Sequence, residues 1–267
     1  MSHRTTQQRR AFTLLELLVV VGMIAVLVAV LFPALRAARR AAARTACLSN
    51  QHQIGAAIFA YAADYDRTIV YGPKAPPATA TNFYPGTGDV TSLLSLQSGA
   101  PVALGLLLNK YLSKTPHVLF CPGADQPEDA DAELSKVGHT QAQGDYYYRH
   151  GSNVSLSDNA LPPTTAHIHL NDLGSNRNGQ PIRALVMDQN FLANLNWAAT
   201  WGLVTRTNHD HQTVNVLFAD GHAATLDNAA TLVNPHGPLT IDPLALQIPP
   251  EDSLDLILKA FESADQR

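Results

Sequence analysis

A histidine-rich segment in the C-terminal third carries residue types that bind transition metals. His209 and His211 are two residues apart, and Asp220 and His222 follow after a short apolar run. If the first two lie on a strand, their side chains face the same side, and Asp220 or His222 can supply a third zinc ligand. The alternative is that these are hairpin residues whose side chains hydrogen-bond the turn. Because the spacing alone is weak support for a metal, we expect the hairpin role.

The two cysteines, Cys47 and Cys121, are the other residues that could form a chemical link. Two cysteines in an exported chain can form one disulfide. Cys47 falls on a predicted helix, however, and the sequence does not give the distance between the thiols. The alternative is that they are two unrelated buried thiols.

An acidic run offers oxygen ligands of the kind that calcium prefers. Five carboxylates occur between Asp125 and Glu133. No glycine lies at the centre of this run and the EF-hand spacing is absent, so a solvated loop is the simpler interpretation.

Composition and motifs argue against two broad classes of function. The formal net charge is -4, and no long basic groove can be traced, which argues against a general nucleic-acid binder. The sequence contains no nucleophile elbow, phosphate loop or dinucleotide fingerprint. We therefore expect a protein that is not an enzyme, with no catalytic residues and no required cofactor.

The C-terminal two thirds read as short strands with one final helix. Asp220-Gly221 between two apolar runs predicts a two-residue hairpin turn with positive φ at both positions. Asp252 to Ala264 predicts an amphipathic helix on the head, with Asp252 as its N-cap. The strand candidates are residues 118–122, 146–149, 167–170, 184–188, 214–219 and 222–226. Residues 72–101 predict a long surface loop, and residues 104–112 a short helix.

The N-terminal segment has the length of a membrane span. Leu17 to Leu35 contains no charged residue, and at ~1.5 Å per residue its 19 positions cover roughly 28 Å. It has no polar face, which favours a transmembrane helix over an amphipathic core helix. Glu16 stands at its edge, where a carboxylate needs a partner. A cut between Ala11 and Phe12 would create an amine that can pair with Glu16 of a neighbouring subunit.

The run Ala11-Phe12-Thr13-Leu14-Leu15-Glu16 resembles the processing site of type IV pilins and type II secretion pseudopilins. The resemblance implies cleavage by prepilin peptidase after Ala11, where the family usually has Gly, and N-methylation of Phe12. It also implies that Glu16 guides subunit registry and that Pro33 is the family's helix-kinking proline. Arginines flank the span on both sides, so the cytoplasmic position of the N-terminus follows from the resemblance and not from charge.

These features together predict an α+β fold of the pilin type. A long helix, half in the membrane and half on the head, continues to about Asp64, and an antiparallel β-sheet forms the globular head. We expect a leader over residues 1–11, a transmembrane helix over 12–35, its amphipathic continuation over 36–66 and an extracytoplasmic α+β head over 67–267. The protein would be a single-pass inner-membrane protein with a cytoplasmic N-terminus.

Three further segments resemble a planctomycete-type group of pilin-like proteins. They are the helical run from Cys47 to Asp64, the segment Val118-Leu119-Phe120-Cys121-Pro122 with its Phe-x-Cys-Pro-like signature, and an H-X9-DG-like region ending at Asp220-Gly221. The last departs from the pattern, since His209 is one residue too far from Asp220 and His211 one too near. We align His209, with a one-residue insertion.

Two hypotheses of different classes follow. The first is a structural subunit that assembles with other pilin or pseudopilin subunits through an inner-membrane assembly platform, in contact with membrane lipid. The second is a membrane-anchored, metal-dependent hydrolase or ligand-binding head that uses His209, His211 and Asp220. Calcium or zinc would be its cofactor.

Overall fold

The computed structural model describes residues 14–74, 89–123, 129–155, 168–192, 205–209, 212–230, 235–242 and 253–267. The chain divides into two compact units, Met1–Ala42 and Ala43–Arg267. The described part of the first unit is helical throughout, and the second unit holds the sheet.

The N-terminal helix, α1, spans Leu14–Asp64 and is 51 residues long. Leucine and alanine, both strong helix formers, dominate its sequence. It ends where the sequence predicts. Asp66 adopts a left-handed conformation with φ +50°, and the Arg67 N–H bonds the Ala62 carbonyl at 2.6 Å. This pattern is the Schellman motif that satisfies the last carbonyls of a helix.

A five-stranded antiparallel sheet forms the centre of the second unit, in the order β2-β3-β5-β8-β9. Its strands are β2 (Asp89–Ser95), β3 (Ala142–His150), β5 (Ala184–Asp188), β8 (Thr213–Phe218) and β9 (Ala223–Asp227). Two small sheets accompany it. β1 (Gly72–Lys74) pairs in parallel with β4 (Ser152–Ser155), and β6 (Asn190–Phe191) pairs antiparallel with β7 (Arg206–Thr207). The predicted α+β fold with a long N-terminal helix is confirmed.

The central sheet lies between helical layers, with a separate apolar core on each face. Tyr146 and Tyr148 of β3 belong to the core that contains Cys47, Ile54 and Ile58 of α1. Tyr147, between them, belongs to the opposite core. There the C-terminal helix α3 (Ser253–Asp265) contributes Leu258 and Phe261. The period-two alternation of strand side chains therefore sends neighbouring tyrosines to different helices.

The predicted hairpin exists, but its turn differs from the prediction. The loop between β8 and β9 is longer than two residues, and among its residues only Gly221 has a positive φ, +91°. The Gly221 N–H bonds the Phe218 carbonyl at 2.9 Å, and the Phe218 N–H bonds the His222 carbonyl at 2.8 Å. A β-turn followed by a left-handed glycine is the common three-residue hairpin, which requires only one flexible position.

Several predicted elements between residues 72 and 170 were wrong in type. Part of the predicted surface loop forms β1 and β2, because pairing with β4 and β3 overrides the weak strand propensity of these segments. The predicted strand at 118–122 is instead a single 3-10 turn, Pro116–Leu119, and the helix predicted at 104–112 is a short 3-10 helix, Ala103–Leu107. In the described part of 167–170, only isolated bridges form at His169.

The described end of the acidic run is a helix cap, not a loop. Asp129 is the N-cap of α2 (Ala130–Lys136) and accepts from the N–H groups of Asp131 and Ala132. The carboxylate of Asp131 contacts His117 at 2.8 Å, and Glu133 forms an ion pair with Lys136. Residues 124–128 lie outside the described part of the chain.

Candidate functional site

The first candidate site is the apolar half of α1. Its large apolar residues between Leu14 and Leu35 are exposed, from 39% at Val28 to 87% at Leu14. In the described residues this is the one helix long and apolar enough to cross a membrane. Pro33 lies inside it, and the helix continues through Pro33 to Asp64.

Glu16 lies in the first turn of α1. A carboxylate there interacts favourably with the positive end of the helix dipole. The predicted cleavage position, Ala11 and Phe12, lies outside the described residues. In the sequence, Glu16 is four residues after Phe12, which would become the N-terminus after cleavage.

The second candidate site is buried in the head, where Cys47, Cys121, Asp188 and His209 converge. We call these four residues the buried cluster. Each comes from a different part of the fold: α1, the segment after the Pro116–Leu119 turn, the last residue of β5, and the segment before β8. The ligand atoms of Cys47, Cys121 and His209 all lie within 4.8 Å of one another.

Distances within the buried cluster are those of direct contact. Cys47 Sγ is 3.2 Å from Asp188 Oδ1, and Cys121 Sγ is 3.8 Å from His209 Nε2. His209 Nε2 is 3.5 Å from Asp188 Oδ2. Cys47 and Asp188 are fully buried, and Cys121 and His209 are each 6% exposed. The two thiols, the imidazole and the carboxylate therefore meet in a region that is almost completely shielded from solvent.

The surrounding residues fix the Asp188 carboxylate in place. Gln51, one helical turn after Cys47, donates from Nε2 to Asp188 Oδ1 at 3.0 Å. The backbone N–H of Asn215 on β8 donates to Oδ2 at 2.8 Å. Gln51 Nε2 also bonds the Asn215 carbonyl at 2.9 Å. Asp188 consequently links α1, β5 and β8.

The His209 ring is held in a defined orientation. Thr225 donates to Asn215 Oδ1 at 2.6 Å, which leaves the Asn215 Nδ2 group to donate to His209 Nε2 at 3.2 Å. The Nε2 lone pair therefore accepts from Asn215, on the side of the ring that faces the buried cluster. The His209 backbone has φ +60°. Non-glycine residues in the left-handed region are uncommon and tend to occur at functional sites.

The two thiols differ in acidity. Burial raises the pKa of the Cys47 thiol well above its ordinary value. A hydrogen bond from Cys47 lowers the pKa of Cys121 to about 7, and the bond with His209 adds to the effect. Burial also raises the pKa of the Asp188 carboxyl. Cys121 is thus the thiol that ionises first.

The structure does not bring the predicted zinc ligands together. Among the described residues His209 lies with Cys47 and Cys121, whereas Asp220 and His222 bond each other at the exposed end of the hairpin. The His222 backbone N–H also donates to Asp220 Oδ1 at 3.1 Å, so both residues have the hairpin role expected from the sequence. His211 lies outside the described residues. His209 lies in the segment between β7 and β8 and not on a strand, so its side chain does not share a strand face with the hairpin residues.

The cysteines are brought together, but both are free thiols in the structure. Their pairing stays a prediction. The sequence placed Asp188 on a predicted strand but did not identify it as a site residue, and it did not predict that Cys121 and His209 lie close together. The available signal for Asp188 was a carboxylate at the end of a strand, Ala184–Asp188, whose other residues are all apolar.

The buried cluster is not arranged as a catalytic triad. In a triad the base accepts from the nucleophile through one ring nitrogen and is oriented through the other. Here Cys121 and Asp188 both face Nε2 of His209. The arrangement fits ligands directed at a common point better than it fits a proton relay.

Comparison with known families identifies the N-terminal segment. Residues 6–32 match the family model described as the prokaryotic N-terminal methylation motif. The start of the chain therefore carries the N-terminal methylation motif of prepilin-type proteins, in agreement with the resemblance of Ala11 to Glu16. The matched range includes Ala11, Phe12 and Glu16, so the family's processing motif coincides with the start of the exposed apolar helix. The chain matches no curated protein and no solved structure.

Proposed function

We propose that this pilin-like protein is a structural subunit of a type II secretion pseudopilus or a type IV pilus-like filament. Prepilin peptidase cuts it between Ala11 and Phe12, and Phe12 is N-methylated. The mature chain is anchored in the inner membrane with its N-terminus cytoplasmic and its head extracytoplasmic. The observation that carries this proposal is the methylation motif at the start of an apolar helix with exposed side chains.

The apolar half of α1 requires a nonpolar environment. Fully burying one Leu, Val or Phe side chain is worth about 1.5–3 kcal/mol, and many such residues are exposed on this helix. Lipid supplies that environment before assembly. The same surfaces of neighbouring subunits supply it in a filament, so one helix serves as both anchor and assembly interface.

Glu16 gives the assembly its register. Hydrophobic helix packing alone permits one helix to slide along another, because leucine and valine repeat along the surface. A carboxylate in an apolar interface is stabilised only by an opposite charge at hydrogen-bonding distance. The amine created at Phe12 of a neighbouring subunit provides that charge, and their pairing selects one axial stagger.

The experiment is intact-mass and N-terminal peptide mass spectrometry on protein from native membranes. We expect a chain that begins at Phe12 and carries one added methyl group. Ala11→Gly, which restores the family's usual residue, should be processed normally, and Ala11→Leu should accumulate as the uncut precursor. A wild-type chain that retains residues 1–11 would overturn the proposal, because Glu16 would have no new amine to meet.

A further inference from the structure

We propose that Cys47, Cys121, His209 and Asp188 bind one zinc ion that fastens α1 to the head sheet. This inference rests on the geometry of the buried cluster and is independent of the filament proposal. It replaces the ligand set drawn from the histidine spacing.

The spacing of the four ligands fits tetrahedral coordination. With usual zinc bond lengths of about 2.3 Å to sulfur and about 2.0–2.2 Å to nitrogen and oxygen, neighbouring ligand atoms lie about 3.4–3.8 Å apart. The contacts in the buried cluster are 3.8 Å for Cys121 Sγ to His209 Nε2, 3.5 Å for His209 Nε2 to Asp188 Oδ2 and 3.2 Å for Cys47 Sγ to Asp188 Oδ1. The ligand atoms of the two cysteines and His209 lie within 4.8 Å of one another, and Asp188 presents one oxygen to each side of this group. To bind the ion, His209 Nε2 would exchange its bond from Asn215 for the metal, and Asp188 would present one oxygen to it.

The donor set points to zinc among the common metals. Two thiolates and an imidazole suit a borderline-soft ion, whereas calcium and magnesium take oxygen ligands. Binding releases the two thiol protons to solvent, because the thiolate is the ligand form. The Zn²⁺ charge then offsets two thiolates and one carboxylate, leaving one net negative charge. The donors Gln51 and Asn215 already stabilise the Asp188 carboxylate, as outer ligands do in metal sites.

The site would be structural, because every candidate ligand is buried and each belongs to a different part of the fold. The ligands connect positions 47, 121, 188 and 209, which are far apart in sequence. Closing such long loops limits the conformations of the unfolded chain and stabilises the fold. The ion would hold α1 against the sheet at the point where the helix enters the second unit.

A disulfide between the two cysteines is the competing use of the same thiols. It would join Cys47 to Cys121 and leave no thiolate to bind the ion. The two outcomes differ in mass, in metal content and in spectrum, and they can be separated on protein from one membrane preparation purified with and without reductant.

The test uses the full chain in detergent, purified with a reductant and without chelators. We expect one zinc per chain by inductively coupled plasma mass spectrometry. After the metal is stripped, added cobalt(II) should give a thiolate charge-transfer band and the visible bands of a tetrahedral site. Cys121→Ser should abolish the charge-transfer contribution of that sulfur and weaken zinc binding by at least ~100-fold, more than the loss of an outer ligand does. His222→Gln, the matched control in the hairpin, should bind zinc as the wild type does.

Two results would overturn the inference. One is a reduced, metal-stripped and folded wild-type chain that gives no thiolate band with cobalt(II). The other is a chain that, isolated from the same membranes without reductant, has an intact mass lower by two hydrogens, which shows a disulfide. Should Cys121→Ser fail to fold, the decision rests on wild-type protein: bound zinc must protect both thiols from alkylation, and removal of zinc must expose them.

Discussion

Arg149 on β3 donates from Nη1 to Asp265 Oδ2 at the end of α3 over 2.9 Å, and both side chains are fully buried. The other carboxylate oxygen of Asp265 accepts from the backbone N–H groups of Arg183 and Ala184 at 2.8 Å each. One carboxylate therefore joins the C-terminal helix to two strands. The Arg149 guanidinium also lies 5.6 Å from the Phe261 ring centroid.

Replacing Asp265 by Ala should strongly destabilise the head. The change leaves the Arg149 charge buried without its carboxylate, which typically costs about 3–5 kcal/mol. Urea unfolding of the full chain in detergent, followed by tryptophan fluorescence and circular dichroism, measures the loss. Asp64→Ala is the control, because Asp64 pairs with Lys110 on the surface and such pairs contribute little. Equal effects of the two substitutions would contradict the role of burial.

Gly55 permits close packing of α1 on β8. A Cβ at this position would lie 2.9 Å from Leu217 Cδ1. Gly55→Leu should therefore overpack the interface and cost about 1–3 kcal/mol or more. Ala56→Leu, on the exposed side of the same turn, should stay within about 0.5 kcal/mol of wild type. Thermal unfolding of the two variants side by side decides the matter, and similar midpoints would show that the helix face is not closely packed.

The sequence predicted elements with strong periodicity and missed contacts between distant segments. α1, β5 and the C-terminal helix were predicted correctly because apolar residues recur along each of them. β2 was not, since its strand character comes from pairing with β3. The buried cluster could not be predicted, because Cys121 and His209 are 88 positions apart and meet only after the sheet forms. The segments around Cys121 and His209 each resemble a group of pilin-like proteins, but this resemblance gives no distance between the two residues.

The stability of the head should depend on pH through His150. Burial lowers the pKa of His150 to about 4, against an ordinary value of 6.5. Its Nε2 has no hydrogen-bond partner among the described residues, so the neutral ring is favoured. Between pH 6.5 and 4 the unfolded chain binds a proton that the folded chain does not. Stability is therefore lost as pH falls through this window, by about 3 kcal/mol for this group.

Comparison of wild type with His150→Gln measures this contribution. The free energy of unfolding, determined by urea titration at several pH values between 4 and 7, should fall less steeply with acid in the variant. Parallel pH profiles for wild type and His150→Gln would show that His150 is not kept neutral by burial.

Glu16→Ala should abolish assembly while the fold and the membrane anchor are kept. The substitution removes the carboxylate proposed to meet the Phe12 amine of a neighbouring subunit, but alanine favours the helix. If each subunit contact loses only ~1.4 kcal/mol, its equilibrium constant falls tenfold, and the loss repeats at every contact along a filament. The effect is measured as filament yield from an assembly-competent host. The amount of membrane-bound subunit shows whether the anchor is kept, and circular dichroism of the purified protein shows whether the fold is kept. Glu16→Asp keeps the charge and should assemble better than Glu16→Gln, which keeps the shape. Equal filament yields from wild type and all three variants would show that the charge pair does not set the register.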